Sequence, residues 1–417
     1  MIKLLKEFKN RGGVWFFSSS VFERATRLLL SFFVFSELSK GDSAIWTSAL
    51  ILVSSFMPVK SLGIESGILQ YTSGLDRKIQ SSVFKYFLTK GFLVAFLFST
   101  ICMIVAYNKS IEFSDSKNLV YILAFWLPLS FLFEFLLSFT RIIKDHKLFA
   151  KIQVTYNLIF AGLIILGYLI FGLMGFALAF ALAPLLVFIF FFPKFVKAKN
   201  PTWEALNFTP KDVVFYGLKT SVTNFASELL FITDFYLIEY VLDNKIGLAD
   251  YRVSTIIPLN LGFFAVIFIN NDFVHLVEHK TNRSYLKQYV LKYYKLFVPI
   301  CLALVGGLYL SSDLIWSDLF KHGAYSNSTA YFNVLLFASV SIILLRVPAG
   351  NILAAVGLVH INTILSYSTL LFNFVISYVL LNHFGLIGIA YGTVLSLTLS
   401  GLVSLLFLYK FLNKNVK

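Results

Sequence analysis

Charge is what this chain has least of. Of 417 residues, 13% are Asp, Glu, Lys or Arg, where an ordinary soluble domain carries roughly a quarter. With 58% of the residues apolar, so few charges cannot cover a water-facing surface, and a soluble globular fold is excluded. Cysteine is nearly absent. Cys102 and Cys301 both sit within apolar runs, which excludes a disulfide framework and points to inert buried thiols. The six histidines are scattered, and no set of His, Cys, Asp and Glu has metal-ligand spacing, so no metal site is expected. The phosphate-cradling pattern G-x-x-x-x-G-K-[ST] is missing, as is any hydrophilic stretch long enough to hold a nucleotide. Any energy input must then come from an ion gradient, the membrane potential or the gradient of the cargo itself.

What is present in quantity is long apolar sequence. At about 20 residues per span, runs bounded by charged or Gly, Asn and Pro clusters give roughly twelve segments: 13–35, 44–71, 83–107, 118–140, 149–170, 173–193, 212–239, 247–273, 288–310, 328–349, 361–381 and 385–409. The expected class is an all-α polytopic membrane protein with about twelve transmembrane helices. The basic start of residues 1–13 leads into a stretch that carries Glu23, Arg24 and Arg27 and has no small-residue cleavage site. It reads as a retained first span and not a signal peptide.

A net charge of +14 would suggest nucleic acid in a soluble chain. Here its distribution says otherwise, and no nucleic-acid partner is expected. Twenty-three Lys and Arg fall in connections on the side of the N-terminus, against five on the other: Lys40, Lys109, Lys117, Lys245 and Lys321. Basic residues are retained in the cytoplasm, so both termini of this multi-pass protein are expected there. The same lysines attract anionic lipid head groups.

One internal repeat stands out. FGLMGFA, Phe171–Ala177, recurs as FGLIGIA, Phe384–Ala390, each between the last two spans of a half, and each followed by a basic segment. The expectation is two six-helix lobes, 1–196 and 197–417, in parallel orientation around a central cavity, a transporter architecture.

An ionised side chain at mid-span costs about 2.5 to 3.5 kcal/mol on insertion, so such groups face a bundle interior or a watery cavity. In the first span, Ser20, Arg24, Arg27 and Ser31 share one helix face, with the arginines close to mid-membrane. Glu23 stands four residues before Arg27 and can pair with it, which leaves Arg24 with no local partner. The seventh span carries Thr220, Asn224, Ser227, Glu228 and Asp234, a polar stripe suited to a cavity wall. Glu228 is expected to be deepest and best placed for coupling to protons or sodium ions; Asp234, nearer the outer end, is suited to pair with an arginine. Arg252, with Thr255 three residues on, either lies at the interface or completes a basic cavity. Lys60, Lys90, Lys219 and Arg346 lie in the cytoplasmic portions of spans, where a long side chain can reach the interface. Glu65, Glu134 and Asp272 read as lateral salt-bridge partners.

Several diffuse segments together resemble a known family. They are Trp46–Val53, Ser61–Tyr71, Gly247–Ser254, Arg346–Gly357 and the two F-G-L-x-G turns. With the two-lobe layout, they make the chain similar to the Wzx-type oligosaccharide flippases of the multidrug/oligosaccharidyl-lipid/polysaccharide exporter superfamily. That resemblance implies a carrier, with no catalytic residue, that moves undecaprenyl-diphosphate-linked sugar units across the inner membrane for surface polysaccharide of the O-antigen type. Its partners would be the lipid-linked oligosaccharide, membrane lipids and other membrane proteins of polysaccharide assembly. Arg24, Arg27 and Arg252 would hold the diphosphate, and Glu23, Asn224, Glu228 and Asp234 would supply polar cavity groups and ion coupling. A cation-coupled multidrug antiporter of the same superfamily is the alternative, favoured by acidic cavity residues. A membrane-embedded polysaccharide polymerase or glycosyltransferase is a weaker one, since the longest outer connection, Ser311 to Ser328, leaves little chain for a catalytic module.

The charge asymmetry predicts where reporters will be found. Fusions after Lys197 and after Lys414 should report cytoplasm, and tags near Lys117 or Lys321 should be labelled from outside by an impermeant reagent. An externally labelled C-terminus would refute the orientation.

Overall fold

With no water in the hydrocarbon, a spanning backbone must satisfy its own N–H and C=O groups, and apolar runs of this length do so as helices. The computed structural model describes residues 13–73, 75–108, 116–194, 203, 206–242, 244–318, 325 and 327–413, and among them every regular element is helical. Lys3, Lys6, Lys9, Arg11, Lys109, Lys197, Lys199, Lys321, Lys414 and Lys417, which enter the expected charge asymmetry, lie outside the described residues.

The chain forms two units, one of residues 1–33 and 45–228, the other of residues 34–44 and 229–417, over their described parts. The helices that start in the first are α1 (Gly13–Glu37), α3 (Ile64–Thr72), α4 (Arg77–Asn108), α5 (Ser116–Ala124), α6 (Trp126–Ile142), α7 (His146–Phe171), α8 (Leu173–Phe191) and α9 (Pro210–Tyr240), with most of α2 (Lys40–Phe56). The second has α10 (Lys245–Thr255), α11 (Phe263–Glu278), α12 (Arg283–Leu310), α13 (Ser312–Asp318), α14 (Ser328–Ser341), α15 (Val347–Ala355), α16 (Val359–Phe384) and α17 (Leu386–Asn413). The ends of α1 and α9 and the start of α2 belong to it as well.

Among the described residues, nine helical stretches are long and apolar enough to cross a membrane: 77–108, 116–142, 146–171, 173–191, 246–269, 283–310, 328–355, 360–384 and 386–413. The other three expected spans are helical too, but they hold the charges. α1 carries Glu23, Arg24 and Arg27; α2 and α3 are separated by a break that contains Lys60; α9 carries Lys219, Glu228 and Asp234. Apolar side chains point outward as a lipid-facing surface requires: on α7, Leu169 is 72% and Ile170 69% exposed.

At three places the helical run is interrupted next to a proline, which removes a donor, and there a side-chain hydroxyl from another helix takes up a backbone carbonyl. After α2 the chain runs through turns past Pro58, whose carbonyl accepts a hydrogen bond from Ser221 Oγ of α9 at 2.5 Å. Between α10 and α11 it passes through a short 3-10 turn, Pro258–Asn260, and the Pro258 carbonyl accepts from Ser339 Oγ of α14 at 2.7 Å. α14 runs into a π-helical turn, Ile342–Arg346, just ahead of Pro348; there Tyr293 and Tyr294 of α12 donate to the carbonyls of Ile343 and Leu344 at 2.6 and 2.8 Å. Pro184 and Pro299 stay within helices.

The repeated F-G-L-x-G motif forms the same connection twice. Gly172 (φ 57°, ψ −135°) joins α7 to α8, and Gly385 (φ 66°, ψ −149°) joins α16 to α17, a region of backbone space open essentially to glycine alone. In both, the glycine N–H closes the preceding helix at 2.8 Å, onto Tyr168 or Leu381, and its carbonyl accepts from the glycine three residues on.

Glycine also sets the approach of α9 to the break after α2. Gly63 has φ 66°, and a Cβ on Gly217 would lie 2.6 Å from the Gly63 carbonyl oxygen, so neither backbone can withdraw without breaking the contact. Gly217→Ala should lower unfolding stability by about 1–3 kcal/mol through overpacking. Gly162→Ala, in open space on α7, should be neutral or slightly stabilising. Thermal unfolding in detergent distinguishes the two, and equal midpoints would refute the close packing.

Candidate functional site

Each unit carries a polar constellation in its helical interior. The first begins on α1. About 15 Å along that helix at 1.5 Å per residue, Glu23 forms an ion pair with Arg27 at 2.6 Å. The same carboxylate accepts a hydrogen bond from the Gln153 side-chain amide of α7. Gln153 is held in turn by Ser19 Oγ, which donates to its Oε1 at 3.1 Å. Glu23 is thereby committed on both oxygens. Arg24, on the exposed side of α1, makes no hydrogen bond and no ion pair among the described residues. The i+4 pairing expected from sequence is present, and so is its consequence for Arg24.

This seam continues deeper into the unit. Tyr156, one turn along α7 from Gln153, is stacked between Phe133 at 4.1 Å and Phe160 at 5.7 Å between ring centroids. Beyond it, Lys60 is 3% exposed, and its ammonium lies 2.7 Å from Glu134 and 3.0 Å from Ser130 Oγ, both on α6. The reach to the interface allowed by its long side chain is not what Lys60 uses. The break after Pro58 turns it inward, where a lone ammonium would be untenable without its carboxylate. Glu134 is the lateral salt-bridge partner anticipated from sequence. Glu65, at the start of α3, accepts from Ser61 Oγ at 2.6 Å.

In the second unit the centre is Asp234 of α9, 2% exposed. It pairs with no arginine among the described residues. Three neutral donors from three helices surround it instead: Tyr251 Oη of α10 at 2.7 Å, Asn373 Nδ2 of α16 at 3.2 Å, and Thr393 Oγ1 of α17. Ser377 Oγ, one turn beyond Asn373, donates to its Oδ1 at 3.5 Å and so turns the amide NH2 toward the carboxylate. α16 and α17 come close enough for this because residue 392 is glycine: a Cβ there would lie 2.8 Å from Ser377 Cα. Arg252 sits over the Phe235 ring, 5.2 Å from its centroid, beside this centre and not in it. Glu228 is half-buried and engaged, and Asn224 is exposed. Burial therefore favours Asp234 over Glu228 as the buried acid of α9.

The residues that sequence reasoning passed over are Gln153, Tyr251, Asn373 and Thr393. Asn373 and Ser377, four apart on α16 and so on one face, were the available signal; Gln153 and Asn157, equally spaced on α7, were another. A carboxylate shut among neutral oxygen and amide groups can hold a proton, or a small hard cation once the hydroxyls turn their oxygens inward. Among the described residues, no group of three or more His, Cys, Asp and Glu comes together.

No protein-family model matches the sequence, and no curated protein matches it. Solved structures do. Lipid II flippase MurJ in an inward closed conformation superposes with a TM-score of 0.73 at 16% identity, over 95% of this chain and 87% of that one. An inward-facing multidrug resistance MATE family transporter of the MOP superfamily gives 0.71 at 16% identity, over 94% of this chain and 100% of that one. A eukaryotic MATE transporter gives 0.62 at 13% identity, over 99% and 98%. At such identities the likeness is one of fold, and it runs the length of the chain.

Proposed function

We propose that this protein is a flippase of the MOP superfamily, of the Wzx type, that carries a lipid-diphosphate-linked oligosaccharide from the cytoplasmic to the periplasmic leaflet by alternating access. The fold is compatible with a flippase and with a drug antiporter, so the choice rests on the site. The observation that carries it is Arg24: a permanent cation in a membrane helix, whose neighbouring carboxylate is already bound to Arg27 and Gln153. An arginine in that position suits an anionic cargo, and its planar fork suits a phosphate. A drug-cation carrier would present an open carboxylate there. The acid that favoured the antiporter reading, Asp234, is enclosed by Tyr251, Asn373 and Thr393, too tightly for a drug and well suited to a coupling proton or sodium ion.

Two experiments test this reading. Arg24→Ala should abolish export of lipid-linked glycan per unit of protein in the membrane, and Arg24→Lys, which keeps charge without the fork, should retain part of it. Normal export by well-expressed Arg24→Ala would sink the assignment. For coupling, Asp234→Asn in proteoliposomes should remove the response of transport to an imposed proton or sodium gradient, while Glu228→Gln should keep it. A gradient response unchanged in Asp234→Asn would rule out Asp234 as the coupling acid.

A further inference from the structure

A second arginine makes no side-chain hydrogen bond or ion pair among the described residues. Arg346 closes the π-helical turn Ile342–Arg346, and its Nη1 is buried without a hydrogen-bond partner. Among the described residues it forms no ion pair either. Its backbone is held firmly. The turn packs against α12, α14, α15 and α17, Tyr293 and Tyr294 bind the carbonyls of Ile343 and Leu344, and a Cβ on Gly401 of α17 would lie 2.5 Å from Leu345 Cβ. Just before the turn, Ser341 Oγ and Thr398 Oγ1 are bonded at 2.6 Å. π-turns of this kind concentrate at functional sites, and this one aims a residue that cannot lose its charge.

The depth narrows the ligand. The stretch 328–355 is 28 residues long, about 42 Å at 1.5 Å per residue, and Arg346 stands about 14 Å from its end. Hydrocarbon occupies about 30 Å of a bilayer about 40–45 Å thick, so the head-group region begins within about 8 Å of Arg346. That gap is comparable to the length of an arginine side chain. The anions found at this level are lipid phosphates, and a guanidinium binds them with two parallel N–H···O bonds.

We propose that Arg346 and its π-turn form a phosphate site for a lipid, distinct from the Arg24 and Asp234 constellations. The phosphate belongs either to an anionic phospholipid of the bilayer or to the lipid-linked cargo; only the second source rests on the function proposed above. Phosphate oxygens supply the acceptors that the protein withholds from Arg346, and Tyr293 and Tyr294 act as positioning residues by keeping the turn wound.

Native mass spectrometry of the purified full chain tests this, with phosphatidylglycerol, undecaprenyl diphosphate and phosphate-free diacylglycerol as probes. Arg346→Ala should weaken binding of a phosphate-bearing lipid about tenfold or more, and Arg346→Lys less, with diacylglycerol unaffected by either. A loss confined to phosphatidylglycerol assigns the site to the bilayer, and one confined to undecaprenyl diphosphate assigns it to the cargo. Unchanged binding of both by Arg346→Ala overturns the proposal. If Arg346→Ala does not fold, Arg346→Lys and Tyr294→Phe decide: both should weaken phosphate-lipid binding, Arg346→Lys at the wild-type melting temperature and Tyr294→Phe at a lowered one because the Leu344 carbonyl loses its donor, and wild-type binding by both overturns the site. A chain that exports no glycan yet binds phosphatidylglycerol through Arg346 would refute the proposed function and leave this site standing.

Discussion

A carbonyl group in hydrocarbon has nowhere to turn but to the protein, and an unsatisfied one costs several kcal/mol. That constraint governs this molecule more than any side-chain contact does. Continuous helices meet it automatically; the interest lies where helices stop. At Pro58, at Pro258 and at the π-turn, the freed carbonyls are taken up by Ser221, Ser339, Tyr293 and Tyr294. Each repair comes from a neighbouring helix, so each break also staples two helices together. The breaks are then available for use: one turns Lys60 inward, and another sets Arg346 where it is.

The two constellations obey a common rule of charge. In the constellation of the first unit, carboxylates and cations are matched in pairs and one cation is without an ion pair among the described residues. Glu23 neutralises Arg27, Glu134 neutralises Lys60, and Arg24 remains. Around Asp234 in the second, the carboxylate is met by hydroxyls and an amide and, among the described residues, by no cation. A leftover cation attracts an anionic cargo; a leftover anion attracts a proton or metal ion. The fold itself does not fix the sign of these charges, and it occurs in both a lipid II flippase and a multidrug transporter.

Much of this was legible in the chain. Helical class follows from apolar runs and scarce charge. The glycine turns at Gly172 and Gly385 announced themselves as a repeat, because the conformation they adopt admits no other residue. The isolation of Arg24 followed from i+4 geometry within one helix. Contacts between helices were harder. Tyr251, Asn373 and Thr393 converge on Asp234 from positions 17 to 159 residues away, and no local periodicity encodes that meeting. The inward turn of Lys60 was hidden for a related reason: reach to the interface assumes an unbroken helix, and here the helix ends two residues before Pro58. In α1, α2 to α3 and α9, charge or a helix break dilutes the apolar signal of a span.

The connections at Gly172 and Gly385 have one more consequence. A hairpin joined by a single residue in a nearly unique conformation has no slack, so its two helices cannot slide past one another along their axes. α7 with α8, and α16 with α17, can only swing as forks about the glycine. A force applied at the open end of either fork becomes a rotation, with the displacement largest at the tips and nearly nil at the bend. Thr393 sits two turns from its bend and Asn373 three, so such a swing moves the two donors little relative to one another, and the grip on Asp234 loosens chiefly when α9 itself shifts.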